Sequence, residues 1–267
     1  MLTVTSRDGT RIAYEKLGSG PPVVLVDGAF CGREFGPMPA LSKLLAERYT
    51  VVHYDRRGRG ASGDAPGYAV EREIEDLAAI VRTLDAAPCV YGCSSGAVLA
   101  ARAVGGGVEA KRLALYEPPL ALDGTHFPSP ADYIARIDEH LSHDRRREAV
   151  KLFMSVVGMP RLMVWLMSLF PVFRTLESVA HTLRYDFAVL GDTQRGGPLP
   201  DELARALTEI RIPTLSLAGS KSPEWMKHAS RVVAERVSGE KKTGILAGQD
   251  HNASAKAVAP ALIEFFG

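Results

Sequence analysis

The sequence predicts an α/β protein built on a mainly parallel β-sheet, covered by helices on both faces and carrying one long helical insertion. Three observations carry that prediction. Continuous apolar runs such as Pro21-Pro22-Val23-Val24-Leu25-Val26 read as strands buried on both faces. They alternate with stretches of helical spacing, of which residues 71–84, with Ile74, Leu77, Ile80 or Val81 and Leu84 on one side, is the clearest. The alternation fails from about 120 to 212, where helical patterns recur without a convincing strand.

The elements follow in order. Residues 1–5 and 11–15 flank Asp8-Gly9 and read as a β-hairpin. The apolar run ending at Val26 is the next strand, and Val51-Val52-His53-Tyr54 another. After the 71–84 helix come the run Cys89-Val90-Tyr91, then Arg112-Leu113-Ala114-Leu115-Tyr116, Thr214-Leu215-Ser216-Leu217 and Thr243-Gly244-Ile245-Leu246. A helix over about 254–266 closes the chain. The expected organisation is a core of residues 1–119 and 213–267, with residues 120–212 as a helical cap.

Composition narrows the function. A chain of 267 residues can bury a substantial core. The formal net charge is +1, and the one dense basic cluster, Arg145-Arg146-Arg147, sits among acidic and polar residues as a solvated helix face, which argues against nucleic acid as a partner. The N-terminus lacks the pattern of a signal peptide, and the longest apolar stretch, around 159–173, is cut by Arg161 and Pro171, so no membrane partner is expected. Cys31, Cys89 and Cys93 form an odd set without metal-ligand spacing. The expectation is a reduced, cytoplasmic protein with no metal and no cofactor; the pattern carries no signal of oligomeric state.

Gly92-Cys93-Ser94-Ser95-Gly96 follows an apolar run and opens the small-residue segment Ala97-Val98-Leu99-Ala100-Ala101. Strand, sharp turn and helix are the context in which G-x-S-x-G presents a nucleophile; the plain alternative is a glycine turn. Three further segments stand around it: Val26-Asp27-Gly28-Ala29-Phe30, Asp55-Arg56-Arg57-Gly58-Arg59-Gly60-Ala61-Ser62, and Gly248-Gln249-Asp250-His251. Together with the element order they resemble the α/β-hydrolase superfamily over essentially the whole chain. The segment at 26–30 occupies the place of the family's His-Gly after its third strand. The arginine-rich segment at 55–62 is similar to the family's D-x-R-G-x-G-x-S loop. The segment at 248–251 sits where the family places its catalytic histidine. The resemblance implies an eight-stranded, mostly parallel sheet with a helical cap inserted after the sixth strand, and a serine hydrolase.

Nucleophilic catalysis needs three roles. Ser94 would attack a carbonyl carbon, and a base must take its proton. His251 is the one histidine after the final strand; His53 lies within a strand as a core residue, and His126, His140, His143, His181 and His228 fall in cap or helix-surface contexts. The acid departs from the common family pattern: relatives carry Asp in a G-x-x-D turn, where this chain reads Gly219-Ser220-Lys221-Ser222. Glu117, in Leu115-Tyr116-Glu117-Pro118-Pro119, stands at the post from which haloalkane dehalogenases and zearalenone-type lactonases take their acid. Asp250 and Glu224 are rivals, and Glu117 could instead simply begin the cap. The backbone N–H groups of Ala29 and Ser95 are the expected oxyanion donors. Asp27 is expected to turn its side chain away from them, Cys93 to pack beneath the turn, and Asp55 to order its loop.

The cap carries Met154, Met163, Trp165 and Met167, which with Phe30 form the expected substrate-binding set. The stretch 162–170 is apolar nearly all round, as expected of a helix covered on more than one side. The expected substrate is a hydrophobic ester or lactone of moderate size. The elbow, the Asp-Gly at 27–28 and Glu117 are similar to those of zearalenone-type lactonases, which adds a macrolactone to the candidates. A C–C bond hydrolase or cofactor-free perhydrolase on the same triad is an alternative, as is a non-catalytic ligand-binding protein on this fold.

Overall fold

The computed structural model describes residues 1–125 and 130–267. Its eight strands are β1 (Leu2–Thr5), β2 (Arg11–Leu17), β3 (Pro22–Val26), β4 (Thr50–Tyr54), β5 (Cys89–Cys93), β6 (Arg112–Tyr116), β7 (Thr214–Gly219) and β8 (Lys241–Leu246). They form one sheet in the order β1-β2-β4-β3-β5-β6-β7-β8. Both pairings of β2 are antiparallel, and the pairings from β4 across to β8 are parallel. The chain moves outward from β3 to β4 on one side, then returns past β3 to β5 on the other. Such a switch opens a crevice at the carboxyl ends of the strands.

The apolar runs become strands because both faces are covered. Val24 and Val26 of β3 enter one cluster with residues of α2 (Val70–Val81) and α3 (Ser95–Gly105). Their neighbours Val23 and Leu25 enter another with α1 (Met38–Leu45) and the C-terminal helix Ala255–Phe266. A period of two thus sends successive residues to opposite cores, so no residue of the strand is free to be polar. The 71–84 spacing corresponds to α2; the spacing did not reveal α1, an eight-residue helix.

Between β6 and β7 the chain forms α4 (Tyr133–Ser142), α5 (Arg146–Val156), α6 (Arg161–Met167), α7 (Val172–Ser178), a 3-10 turn (Ala180–Thr182), α8 (Leu183–Leu190) and α9 (Asp201–Glu209). Helix α10 (Glu224–Arg236) follows β7, and α11 (Ala255–Phe266) follows β8. A third apolar cluster fills the insertion with Ile137, Val150, Met154, Val164, Phe173 and Leu183, and reaches the sheet domain through Phe30, Trp225 and Met226. No helix among the described residues is long and apolar enough to cross a membrane.

Candidate active site

Ser94 ends the β5 strand-turn with φ 54° and ψ −131°, a left-handed conformation that costs energy for any side chain but glycine. Neighbouring glycines make it possible. A Cβ at Gly92 would run into the backbone of Gly96 and Ala97, and one at Gly96 into the carbonyls of Val26 and Asp27. The Ser94 N–H is held by the Tyr116 carbonyl at 2.9 Å, so the turn is fixed to β6. Phe30 (φ 63°) and Glu117 (φ 45°) share the left-handed conformation. Three of the five non-glycine residues with positive φ among the described residues therefore surround one site, which is where strain is tolerated for function.

His251 Nε2 lies 3.1 Å from Ser94 Oγ, and His251 Nδ1 lies 2.8 Å from Glu117 Oε2. Glu117 is fully buried, and its Oε1 accepts the Gly219 N–H at 2.7 Å. The bond to Glu117 fixes Nδ1 as the protonated nitrogen and leaves Nε2 free to accept from Ser94. The rival Asp250 is turned elsewhere. Its Oδ1 accepts the Asn252 N–H at 2.9 Å, while its carbonyl accepts the Tyr116 hydroxyl at 2.5 Å. Glu224 is exposed on the first turn of α10 and paired with Arg231 at 2.6 Å. Ser222 is buried, with no hydrogen-bond partner for its hydroxyl among the described residues.

Gly28 packs directly against the nucleophile: a Cβ there would lie 2.9 Å from Ser94 Cβ and 3.4 Å from Ser94 Oγ. The N–H groups of Ala29 and Ser95 have no acceptor among the described residues, which leaves both available to a ligand oxygen. Asp27 is buried, and its Oδ1 accepts the N–H of Gly28 at 2.8 Å and the Cys93 thiol at 3.5 Å. Burial pushes its carboxyl up to about 6, against the pull of Gly28 N–H, Cys93 and Arg59. Burial, reinforced by Asp27, pushes the Cys93 thiol well above its ordinary range, which disfavours the thiolate form. Asp55 orders its loop: Oδ1 accepts Arg33 N–H at 2.6 Å and Oδ2 accepts Ala61 N–H at 2.9 Å.

The five residues expected to bind substrate separate into two groups. Phe30 and Met154 are buried in the insertion cluster, Met167 packs on its edge, and Phe153 meets Phe30 edge-on at 5.2 Å. Met163 and Trp165 are 52% and 54% exposed, and Leu162, Leu166, Leu169 and Phe170 are exposed beside them. The expectation of a helix covered on more than one side is therefore corrected: α6 has seven residues and buries only Val164. With two turns, its apolar side chains outnumber the positions that can face the cluster.

Other histidines stand apart from this line. His53 is buried within β4, where desolvation lowers its proton affinity. His181 and His228 face Asp64 and Asp123, and His143 contacts its own helix at the Glu139 carbonyl. His126 lies outside the described residues. Among the described residues no group of three or more His, Cys, Asp or Glu could hold a metal ion. A surface groove of about 840 Å³, lined by Arg7, Ile74, Arg82 and Glu109 among others, includes none of Ser94, Glu117 or His251.

Sequence reasoning missed a buried ionic cluster. Arg56, Arg59, Glu73 and Asp186 are each 2% exposed or less. The dense arginines of the 55–62 loop, set between apolar strands, were the available signal that buried acids must answer them. Nothing in the sequence marks Asp186 as one of those acids.

A profile of the Alpha/beta hydrolase family matches residues 23–261, and the chain belongs to that family. It is 45% identical to an alpha/beta hydrolase from Sphaerobacter thermophilus whose solved structure superposes with a TM-score of 0.88, covering 100% of each chain. An esterase from Thermogutta terrifontis shares the fold at 23% identity and a TM-score of 0.69, with 99% of this chain and 97% of that one covered. Among curated relatives, BpoC of Mycobacterium tuberculosis, named for non-heme bromoperoxidases, is 40% identical over 93 residues, 33% of this chain and 34% of its own. YraK of Bacillus subtilis, an uncharacterized hydrolase, is 39% identical over 95 residues, 34% of each chain. The match spans about a third of the length of these curated relatives.

Proposed function

We propose that the protein is a serine hydrolase that cleaves a hydrophobic carboxylic ester or lactone through an acyl-enzyme. The observation that carries this reading is the continuous hydrogen-bonded line from Ser94 Oγ through His251 to Glu117, at 3.1 and 2.8 Å. His251 Nε2 takes the Ser94 proton as Oγ attacks the carbonyl carbon. The N–H groups of Ala29 and Ser95 receive the oxyanion, and the imidazolium returns its proton to the leaving alkoxide. Water activated by the same nitrogen then releases the acid and restores Ser94. Glu117 serves by holding the imidazole tautomer and balancing the imidazolium charge.

Phe30, Phe153, Met154 and Met167 supply an apolar surface beside the oxyanion loop, which suits a hydrophobic acyl or macrolactone substrate. The likeness to BpoC supports a second reading of the same site, in which hydrogen peroxide replaces water in the second half-reaction and a peracid leaves. The proposed acid at Glu117 weighs against a purely ligand-binding role. Turnover of p-nitrophenyl butyrate by wild type and Ser94→Ala tests the main reading. Wild-type activity and its loss in the variant are expected; equal rates would overturn the proposal. A panel of esters, macrolactones and peroxide then separates the two reactions.

A further inference from the structure

The buried cluster beneath the site has no part in the proton line, yet its donors are spent on the site's framework. Burying four charges is unfavourable unless each is paired and its hydrogen-bonding capacity filled. Here Arg56 grips Glu73 with two bonds of 2.6 and 2.7 Å and donates to Asp186 Oδ1 at 2.8 Å. Arg59 donates to Asp186 Oδ2 at 2.7 Å and to Thr182 Oγ1 at 3.1 Å. Burial opposes ionisation of Asp186, but Arg59 and Arg56 outweigh it and hold the carboxyl below its usual range.

The remaining bonds of the cluster reach both expected oxyanion donors. Arg59 Nη1 donates to the Gly28 carbonyl at 2.5 Å and to the Cys31 carbonyl at 3.3 Å. The Gly28 carbonyl and the Ala29 N–H belong to one planar trans peptide and point in opposite directions. Anchoring the carbonyl on Arg59 therefore sets the direction of the Ala29 N–H. Arg56 Nη1 holds the preceding carbonyl, that of Asp27, at 3.3 Å. On the other side of the site, the Ser95 hydroxyl donates to Asp186 Oδ1 at 2.7 Å, which anchors the residue supplying the second N–H. One carboxylate thus ties together the loop after β3 and the first turn of α3, and it comes from α8 of the insertion.

We propose that Asp186 is the positioning residue of the oxyanion hole, directing the Ala29 N–H through Arg59 and the Ser95 N–H through the Ser95 hydroxyl. This role rests on the hydrolase reading. It links the seating of α8 to the shape of the hole, so the insertion contributes to the rate of the chemical step as well as to substrate contact.

The test uses Asp186→Asn, which keeps the shape and removes the charge, and Ser95→Ala, which removes the anchor and keeps the N–H. Both are compared with wild type by kcat and KM on p-nitrophenyl butyrate, normalised to sites titrated to completion with a fluorophosphonate. Inhibition by a trifluoromethyl ketone, which forms a tetrahedral adduct on Ser94, is measured alongside. Expected is a fall in kcat of about 10- to 100-fold in Asp186→Asn and about 10-fold in Ser95→Ala, with KM within about twofold. The ketone should lose affinity by the same factor as kcat, and the pH profile of kcat/KM should keep its inflection. A merely structural role would lower the number of titrated sites and leave kcat per site unchanged. Should Asp186→Asn not fold, Ser95→Ala decides alone: wild-type kcat per site, or a kcat loss without matching loss of ketone affinity, overturns the proposal. If Ser94→Ala itself retains wild-type turnover, the hydrolase reading fails; an inactive Ser94→Ala with wild-type-like Asp186→Asn and Ser95→Ala defeats only the positioning role.

Discussion

Glu117 Oε2 lies 2.8 Å from His251 Nδ1 although the two residues are 134 positions apart in the chain. The other carboxyl oxygen accepts the Gly219 N–H at 2.7 Å. The last residue of β7 therefore supplies a hydrogen-bond donor to the carboxylate that follows β6.

Replacing Glu117 by Gln should lower kcat by about 10²- to 10⁴-fold, because the amide can stabilise neither the required tautomer nor the imidazolium. Steady-state kinetics on a p-nitrophenyl ester provide the check. A change of less than about threefold would assign the acid role elsewhere.

Asp250→Asn should leave kcat within about twofold of wild type. Its carboxyl is occupied with the Asn252 N–H at 2.9 Å, a contact that asparagine can retain. A loss comparable to that of Glu117→Gln would make Asp250 the partner of His251.

Gly28→Ala places a methyl group 2.9 Å from Ser94 Cβ, closer than real Cβ atoms approach. The nucleophile or the oxyanion loop must then shift, and displacement of about 1 Å costs about 100-fold in rate. The expected result is a loss of about 10- to 100-fold in kcat with an unchanged circular dichroism spectrum. Full activity would show that the loop and Ser94 have room the close approach denies.

Asp27 gives a pH-dependent contribution of definite sign. Its carboxyl titrates near 3.8 when free and is raised to about 6 in the folded protein. Between those values the folded state binds more protons than the unfolded state, so this group's stabilisation is present below about 4 and is lost as pH rises through 6. At about 1.4 kcal/mol per pKa step, the loss is about 3 kcal/mol. Urea denaturation of wild type and Asp27→Asn should show the variant gaining on wild type by about that amount between about pH 4 and pH 7.5. A stability difference constant across that range contradicts the assignment.

The sheet was legible because strands covered on both faces lose their polar alternation: Val23 to Val26 divide between two cores, and none of them could be charged. The elbow was legible because Ser94 needs glycine at 92 and 96 to let the backbone of neighbouring elements approach. The place of Glu117 just past the end of a strand was legible, and its carboxylate lies beside His251. Helix α1 was not, since eight residues beginning Met38-Pro39 offer too few turns for a clear period. The exposure of Trp165 and Met163 was not legible, because apolar composition predicts burial only when a neighbour exists to cover it, and α6 has a neighbour on the Val164 side.

Asp186 marks the deeper limit. In the segment Leu183-Arg184-Tyr185-Asp186-Phe187 it resembles a solvated helical acid. Its pairing with Arg56 spans 130 positions and with Arg59 127. Such pairing is decided by how the insertion docks, and a local pattern does not encode docking.

In the proposed reaction Ser94 carries the acyl group. Rapid acid quenching of the enzyme with p-nitrophenyl butyrate, followed by peptide mass spectrometry, measures this directly. Expected are a burst of p-nitrophenol approaching one equivalent and a butyryl group on the peptide containing Ser94, both absent in Ser94→Ala. Turnover without acylation of that peptide, or a burst that survives in Ser94→Ala, would contradict it.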